Sequence, residues 1–346
     1  MKAGAAKAAA VRWIAEHAGR DQGFRGAYFS GSILGLADEE ELPAASDVDV
    51  VVVIEGGEPP LKPGKFLYDG ALIEGTYLSA SQLATAEQVL GSYHLAGSFR
   101  RDTIISDPTG ELRRLQQEVA ARFAERTWVR RRCGEARGRI ESWLQALDPS
   151  APPHDLFTSW LFATGVTTHV LLVAALRNPT VRLRYLAARD ALTVYGRDGI
   201  YEQLLELLGC AGWSPERTRG HLRELARTFD AAAAAGRTPF FFSSDISPAS
   251  RPIAIDGSEA LIRAGNHREA VFWIGATFAR CHKILAADAP ELGERLAPAF
   301  QSLVEDLGVA EWSAMSRRVE AVLGFLPVLW ETAEAIMDAH PEITGE

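Results

Sequence analysis

The spacing of apolar residues changes character near residue 110. Before it, short β-branched and aromatic runs alternate with turn residues; after it, apolar positions recur at helical intervals. Val48 and Val50 to Ile54 form a β-branched run that predicts a buried strand over 47–54. Arg25 to Ser30 predicts the strand before it. Lys65 to Tyr68 and Ala71 to Leu78 flank Asp69-Gly70, a hairpin turn signal. Thr103 to Gly110 predicts a last strand that stops at Pro108. Helices are expected over 3–19, with Val11, Ile14 and Ala15 at helical spacing, from Ile33, and from a Ser79 cap to about Leu90. Glu55 to Gly64, rich in Gly and Pro, reads as a loop.

Glu111 to about Leu147 reads as one helix, basic on one side through Arg130, Arg131, Arg132, Arg137 and Arg139. Pro149 to Pro153 reads as a joint. Beyond it, helices are predicted over 155–177, 180–195, 199–208, 215–235, 258–264, 267–287, 291–306 and 311–338. Pro239 to Gly257 is the one long irregular stretch, either a functional loop or a connector. Trp143, Trp160, Trp273 and Trp330 lie on apolar faces and are expected in the core. Leu156 to Leu176 carries no Asp, Glu, Lys or Arg and has the length of a membrane span. It also holds Thr158, Ser159, Thr164, Thr167, Thr168 and His169, so a buried bundle helix is expected and no membrane partner. The pattern gives an α/β fold class: a small mixed sheet at the N-terminus, then an all-helical C-terminal domain.

The candidate chemistry sits around the valine run. Asp47 and Asp49 stand two residues apart at its start, so a strand projects both carboxylates from one face. Neighbouring carboxylates repel each other, and a divalent cation is the usual remedy; Mg²⁺ takes one or two carboxylates together with phosphate oxygens. Upstream, Gly31 and Ser32 follow the apolar stretch Ala27-Tyr28-Phe29. A glycine and a small hydroxyl at a strand-to-helix turn let backbone N–H groups approach an anion. Ser46 either positions the aspartate loop or is an ordinary turn serine.

The order Gly-Ser, spacer, Ser-Asp-Val-Asp and hydrophobic strand resembles the DNA polymerase beta-like nucleotidyltransferases. That resemblance implies a third carboxylate on a neighbouring strand, and Glu74 in Ala71-Leu-Ile-Glu-Gly-Thr-Tyr-Leu78 supplies one. A glutamate in such a strand is similar to the aminoglycoside adenylyltransferases within that group. The likeness covers the first third of the chain, with a spacer between Ser32 and Asp47 lengthened by the acidic Asp38 to Glu41. It implies a nucleotidyltransferase domain over 1–125 and a helical substrate-binding or accessory domain over 126–346. It implies Mg²⁺, two ions in the usual form, bound by Asp47, Asp49 and Glu74, with ATP or another NTP as co-substrate. Asp47, Asp49 and Glu74 would be catalytic, Glu74 as base or third ligand; Gly31, Ser32 and Ser46 would face the nucleotide. Arg184, near the start of a predicted helix, would reach phosphate or else be a surface arginine. The implied acceptor is a small molecule with a hydroxyl, aminoglycoside-like. Two rival readings are a protein- or tRNA-modifying enzyme of the antitoxin type and a non-catalytic nucleotide-binding regulator.

Composition adds bounds. The chain of 346 residues suggests about two domains, and 47% hydrophobic content supports sizeable cores. A net charge of −9 argues against a nucleic-acid partner. Cys133, Cys210 and Cys281 are odd in number and far apart, the pattern of reduced thiols in a cytoplasmic protein. His94, His154, His169, His221, His267 and His282 show no metal-ligand spacing. Nothing in the sequence sets the oligomeric state.

Overall fold

The computed structural model describes residues 1–57 and 59–345. Within them the chain is mixed α/β, with one five-stranded sheet in the N-terminal part and mostly helices afterwards. The strands are β1 (Phe24–Ser30), β2 (Val48–Ile54), β3 (Gly64–Tyr68), β4 (Ala71–Ser79) and β5 (Ile104–Ser106). The helices are α1 (Ala3–Glu16), α2 (Ala86–Gly91), α3 (Glu111–Arg122), α4 (Arg126–Gln145), α5 (Pro153–Ala174), α6 (Arg184–Val194), α7 (Asp198–Leu208), α8 (Pro215–Ala235), α9 (Gly257–Arg263), α10 (His267–Asp288), α11 (Pro290–Asp306) and α12 (Trp312–Ala339). Two compact units result. The first is Met1–Arg131 together with the C-terminal end from Thr344; the second is Arg132–Ile343. The division falls within α4. Pro149 to Pro153, expected as the joint, lies inside the second unit.

The sheet order is β3-β4-β2-β1-β5. β2 runs parallel to β4, and the other neighbours are antiparallel. Strict alternation sorts β2: Val48, Val50 and Val52 enter a core with α1, Ile33, Ala71 and Ile73. Val51 and Val53 turn to the opposite face, among Tyr28, Leu90, Phe99, Leu112 and Val119. The Asp69-Gly70 turn has positive φ at both residues (48° and 77°), the type I′ geometry that suits strand twist.

Several local expectations change. The buried stripe of α1 is Ala3, Ala6, Ala10 and Ile14, which lets the helix approach the sheet closely; Val11 is exposed. Ile33 opens no helix. Gly31–Gly35 is a single 3₁₀ turn, and the acidic residues after it serve α1 instead. The carbonyls of Glu40 and Asp38 accept from the first free N–H groups of α1, at Ala3 (2.8 Å) and Gly4 (2.9 Å). Lys7 Nζ holds Asp38 Oδ1 at 2.9 Å. Ser79 caps only a 3₁₀ turn; Thr85 caps α2. The long helix expected from Glu111 breaks into α3 and α4, because Arg126 N–H donates to Thr344 O at 2.8 Å and Thr344 N–H to Ala124 O at 3.0 Å.

In the second unit α5 and α10 are buried along most of their length. Among the described residues α5 is the one helix long and apolar enough to cross a membrane, and most of its apolar stretch is buried within the structure. Trp160 and Trp273 are buried, whereas Trp143 is exposed. The Pro239 to Gly257 stretch, expected to be irregular, ends in a π-helical turn (Pro252–Asp256) and is anchored at three points, one of them Arg251 Nε donating to Asp230 Oδ1 at 2.7 Å. Asp288 caps its start, accepting from Arg237 N–H (2.6 Å) and Thr238 N–H (2.9 Å). Asp245 accepts from Arg280 Nη1 at 2.9 Å in a buried pair ringed by Phe162, Phe242 and Trp273.

Removing one partner of such a pair leaves a buried charge without compensation. Asp245→Ala should therefore lower stability by about 3–5 kcal/mol in urea unfolding. A loss under about 1 kcal/mol would mean that the three rings alone support Arg280.

Candidate acidic site

The site is built by register. Asp49 pairs with Glu74 across the parallel β2–β4 ladder. Ser30 pairs with Asp49 on one side and Lys65 with Glu74 on the other. Lys65, Glu74, Asp49 and Ser30 thus form one row across four strands, all on the face opposite α1. Asp47, just before β2, completes the cluster. Asp47, Asp49 and Glu74 can each offer a carboxylate oxygen such that the three atoms lie within 4.8 Å of one another. Among the described residues this is the one cluster of His, Cys, Asp or Glu that can hold a metal ion.

Charge is balanced locally by two lysines that the motif reading missed. Lys65 Nζ lies 3.1 Å from Asp47 Oδ2 and also contacts Glu74 Oε2. Lys62 Nζ contacts Glu74 Oε1. The signal for Lys65 was present in the sequence: a two-residue turn at Asp69-Gly70 fixes the hairpin register, which sets Lys65 opposite Glu74. Lys62 precedes the strand and carries no such signal.

Gly31 fits against this cluster. Its φ is +67°, and a Cβ there would lie 1.8 Å from Asp49 Oδ2. Any side chain at 31 would displace the Asp49 carboxylate, so glycine is needed for the close approach as well as the backbone angle. Ser32 is exposed on the 3₁₀ turn. Ser46 N–H closes a turn onto Pro43 O at 2.9 Å, immediately before Asp47. Ser30 Oγ and Ser98 Oγ are hydrogen-bonded at 3.0 Å. The triad of hard oxygen donors, with a glycine cradle beside it, fits a divalent cation.

Arg184 is not an exposed arginine. It is the first residue of α6, 1% exposed, with its guanidinium carbon 3.9 Å from the centre of Phe272 and 5.5 Å from that of Phe162. Nε donates to Val181 O at 2.9 Å, and Gly165 leaves the room, since a Cβ there would meet Nη1 at 2.5 Å. Its charge is taken up by the interior of the second unit, and we assign it no phosphate contact. Glu269 is likewise interior, accepting from Arg189 Nη1 (2.7 Å) and Tyr201 OH (2.5 Å). His169 sits beneath Thr180, its Nε2 2.9 Å from that carbonyl, and burial pulls its pKa down to about 3. The three cysteines are free and buried.

Burial, then the negative charges of Asp47 and Glu74, push the Asp49 carboxyl well above the usual carboxylate range; Lys65 and Lys62 pull the other way. The native state thus holds this proton more tightly than the unfolded chain does. Its stabilising contribution is fully present below the ordinary carboxylate pKa and is lost as pH rises through the folded value. In EDTA, Asp49→Asn should melt above the wild type at neutral and alkaline pH, with the gap closing toward about pH 4. A variant that melts below wild type across that whole range would show that the lysines outweigh the crowding.

Compared with protein-family models the chain matches none, and no curated protein matches it.

Proposed function

We propose that the protein is a Mg²⁺-dependent nucleotidyltransferase. The observation that supports this most is the triad itself: Asp47, Asp49 and Glu74 converge at one end of a parallel strand pair, beside a glycine whose backbone leaves no room for a side chain. The motif likeness of Gly31-Ser32 and Ser46-Asp-Val-Asp49 to the polymerase beta-like enzymes points the same way, as does Glu74 for the adenylyltransferases among them.

In this reading Asp47 and Asp49 hold the metal, with Glu74 as a third ligand or the base. A divalent cation bound there would neutralise the triphosphate and the charge that develops on the departing pyrophosphate. Gly31 and Ser32 offer backbone N–H groups and a hydroxyl to phosphate oxygens. The acceptor hydroxyl forms a bond to the α-phosphorus, the bond between that phosphorus and the bridging oxygen breaks, and pyrophosphate leaves. Glu74 takes the hydroxyl proton. ATP is the proposed donor, and a small hydroxylated molecule of the aminoglycoside kind the proposed acceptor. The chain's net charge of −9 suits a cationic acceptor.

The test separates binding from chemistry. Asp47→Asn should abolish Mg²⁺-dependent thermal stabilisation by ATP. Glu74→Gln keeps an acceptor oxygen and the strand packing; acting as base, Glu74 contributes about 10²–10⁴-fold, so turnover should fall by that factor with nucleotide binding retained. Mass spectrometry of candidate acceptors reads the product: a nucleoside monophosphate gain on a small molecule supports the proposal. A gain on protein or tRNA would favour the antitoxin type of enzyme, and nucleotide binding with no transfer would indicate a regulator. A wild-type Mg²⁺–ATP response that survives in Asp47→Asn would remove the metal from this site.

A further inference from the structure

We infer that Lys65 is the resident counter-cation of the triad, displaced by the divalent metal and taken up by the nucleotide's phosphate. This rests on the triad being a metal–nucleotide site.

Lys65 occupies the lone pairs that a metal would use. Its ammonium bridges Asp47 Oδ2, at 3.1 Å, and Glu74 Oε2, while Lys62 takes the other Glu74 oxygen. The Lys65 side chain is only 8% exposed, less than the 15% of Asp47 and Glu74 and the 18% of Lys62. The ion pair is therefore formed out of reach of bulk solvent and is weakly screened. Two ammonium groups thus face the three carboxyl groups, and this compensation lets the cluster sit half-buried in the fold. A dication entering that space would meet the Lys65 ammonium head-on, because both need the same oxygens. Like charges a few ångströms apart in a half-buried site repel strongly, so metal and ammonium exclude each other.

The register keeps Lys65 at the site after displacement. It is anchored on β3 directly opposite Glu74, and a four-carbon stem lets its head move without the strand. A triphosphate brought in with the metal supplies anionic oxygens at the mouth of the same cluster. The released ammonium pairs with one of them in a charge-assisted bond. Lys65 thus opposes the metal alone and favours the metal–nucleotide complex, which makes productive loading of the site depend on both arriving.

The test uses Lys65→Met, which keeps the stem and removes the charge. Isothermal titration of the full chain with Mn²⁺ alone, and with Mg²⁺ plus α,β-methylene-ATP, gives two constants for each protein. The variant should bind Mn²⁺ alone about tenfold more tightly than wild type and the Mg²⁺–nucleotide analogue about tenfold more weakly. Opposite signs are the signature, since a lysine that merely shapes the strand would move both constants together. If wild type binds both ligands and the variant changes both in one direction, or neither, the inference fails while the nucleotidyltransferase reading stands. If wild type binds neither, that reading fails and the inference with it. A second measurement needs no variant. Acetylation of Lys65 in the wild type, followed by mass spectrometry, should be slow in EDTA, faster with Mn²⁺ alone and slow again with Mg²⁺ plus the analogue. An acetylation rate that stays the same in all three conditions would overturn the inference.

Discussion

Three carboxylates are held together at one end of β2 and β4 against their mutual repulsion, and apolar burial is part of what holds them. Val48, Val50, Val52 and Ile73 are completely buried on the α1 face. Each fully buried aliphatic side chain contributes roughly 1.5–3 kcal/mol. Because strand side chains alternate, fixing these valines and Ile73 inward fixes Asp49 and Glu74 outward and side by side. A one-residue slip of β4 against β2 would send Glu74 into the α1 core and Ile73 out. Burial of these side chains and the ammonium groups of Lys62 and Lys65 together oppose the repulsion, while desolvation first and the neighbouring carboxylates second raise the Asp49 pKa.

The same split between local alternation and long-range register decides which parts of the molecule were legible in the sequence. The valine run, the Asp-Gly turn and the paired aspartates each carry a short-range signal, and each stands in the structure close to where the pattern put it. The parallel pairing of β2 with β4 carries no local signal. Glu74 could be named from the motif, but its adjacency to Asp49 comes from long-range register. The helix expected after Gly31-Ser32 had only four apolar-leaning residues to support it, too few for a stable turn-by-turn ladder, and the chain uses a 3₁₀ turn there. Asp38 to Glu41 looked like spare acidic loop; their backbone carbonyls and side chains instead close the N-terminus of α1.

The second unit was legible as helices and misleading at single residues. A helix-start arginine normally reads as solvent-facing, yet Arg184 is packed over Phe272 because Gly165 on α5 opens the space. Trp143 sits at a helical spacing shared with core residues and is exposed all the same. Burial on a helix is decided by which face meets a neighbour, and periodicity alone does not rank two apolar faces of one helix. The break between α3 and α4 depends on Thr344, more than two hundred residues away in sequence, and no local pattern could reveal it.

Asp47, Asp49 and Glu74 are placed so that they could hold a divalent cation. The most direct test is diffraction from crystals grown with Mn²⁺ and a non-cleavable nucleotide analogue, with data collected above the manganese absorption edge. An anomalous peak is expected at coordination distance, about 2.1–2.3 Å, from carboxylate oxygens of Asp47 and Asp49. Saturating Mn²⁺ with no peak at the triad, or a peak elsewhere in the chain, would contradict a metal site there.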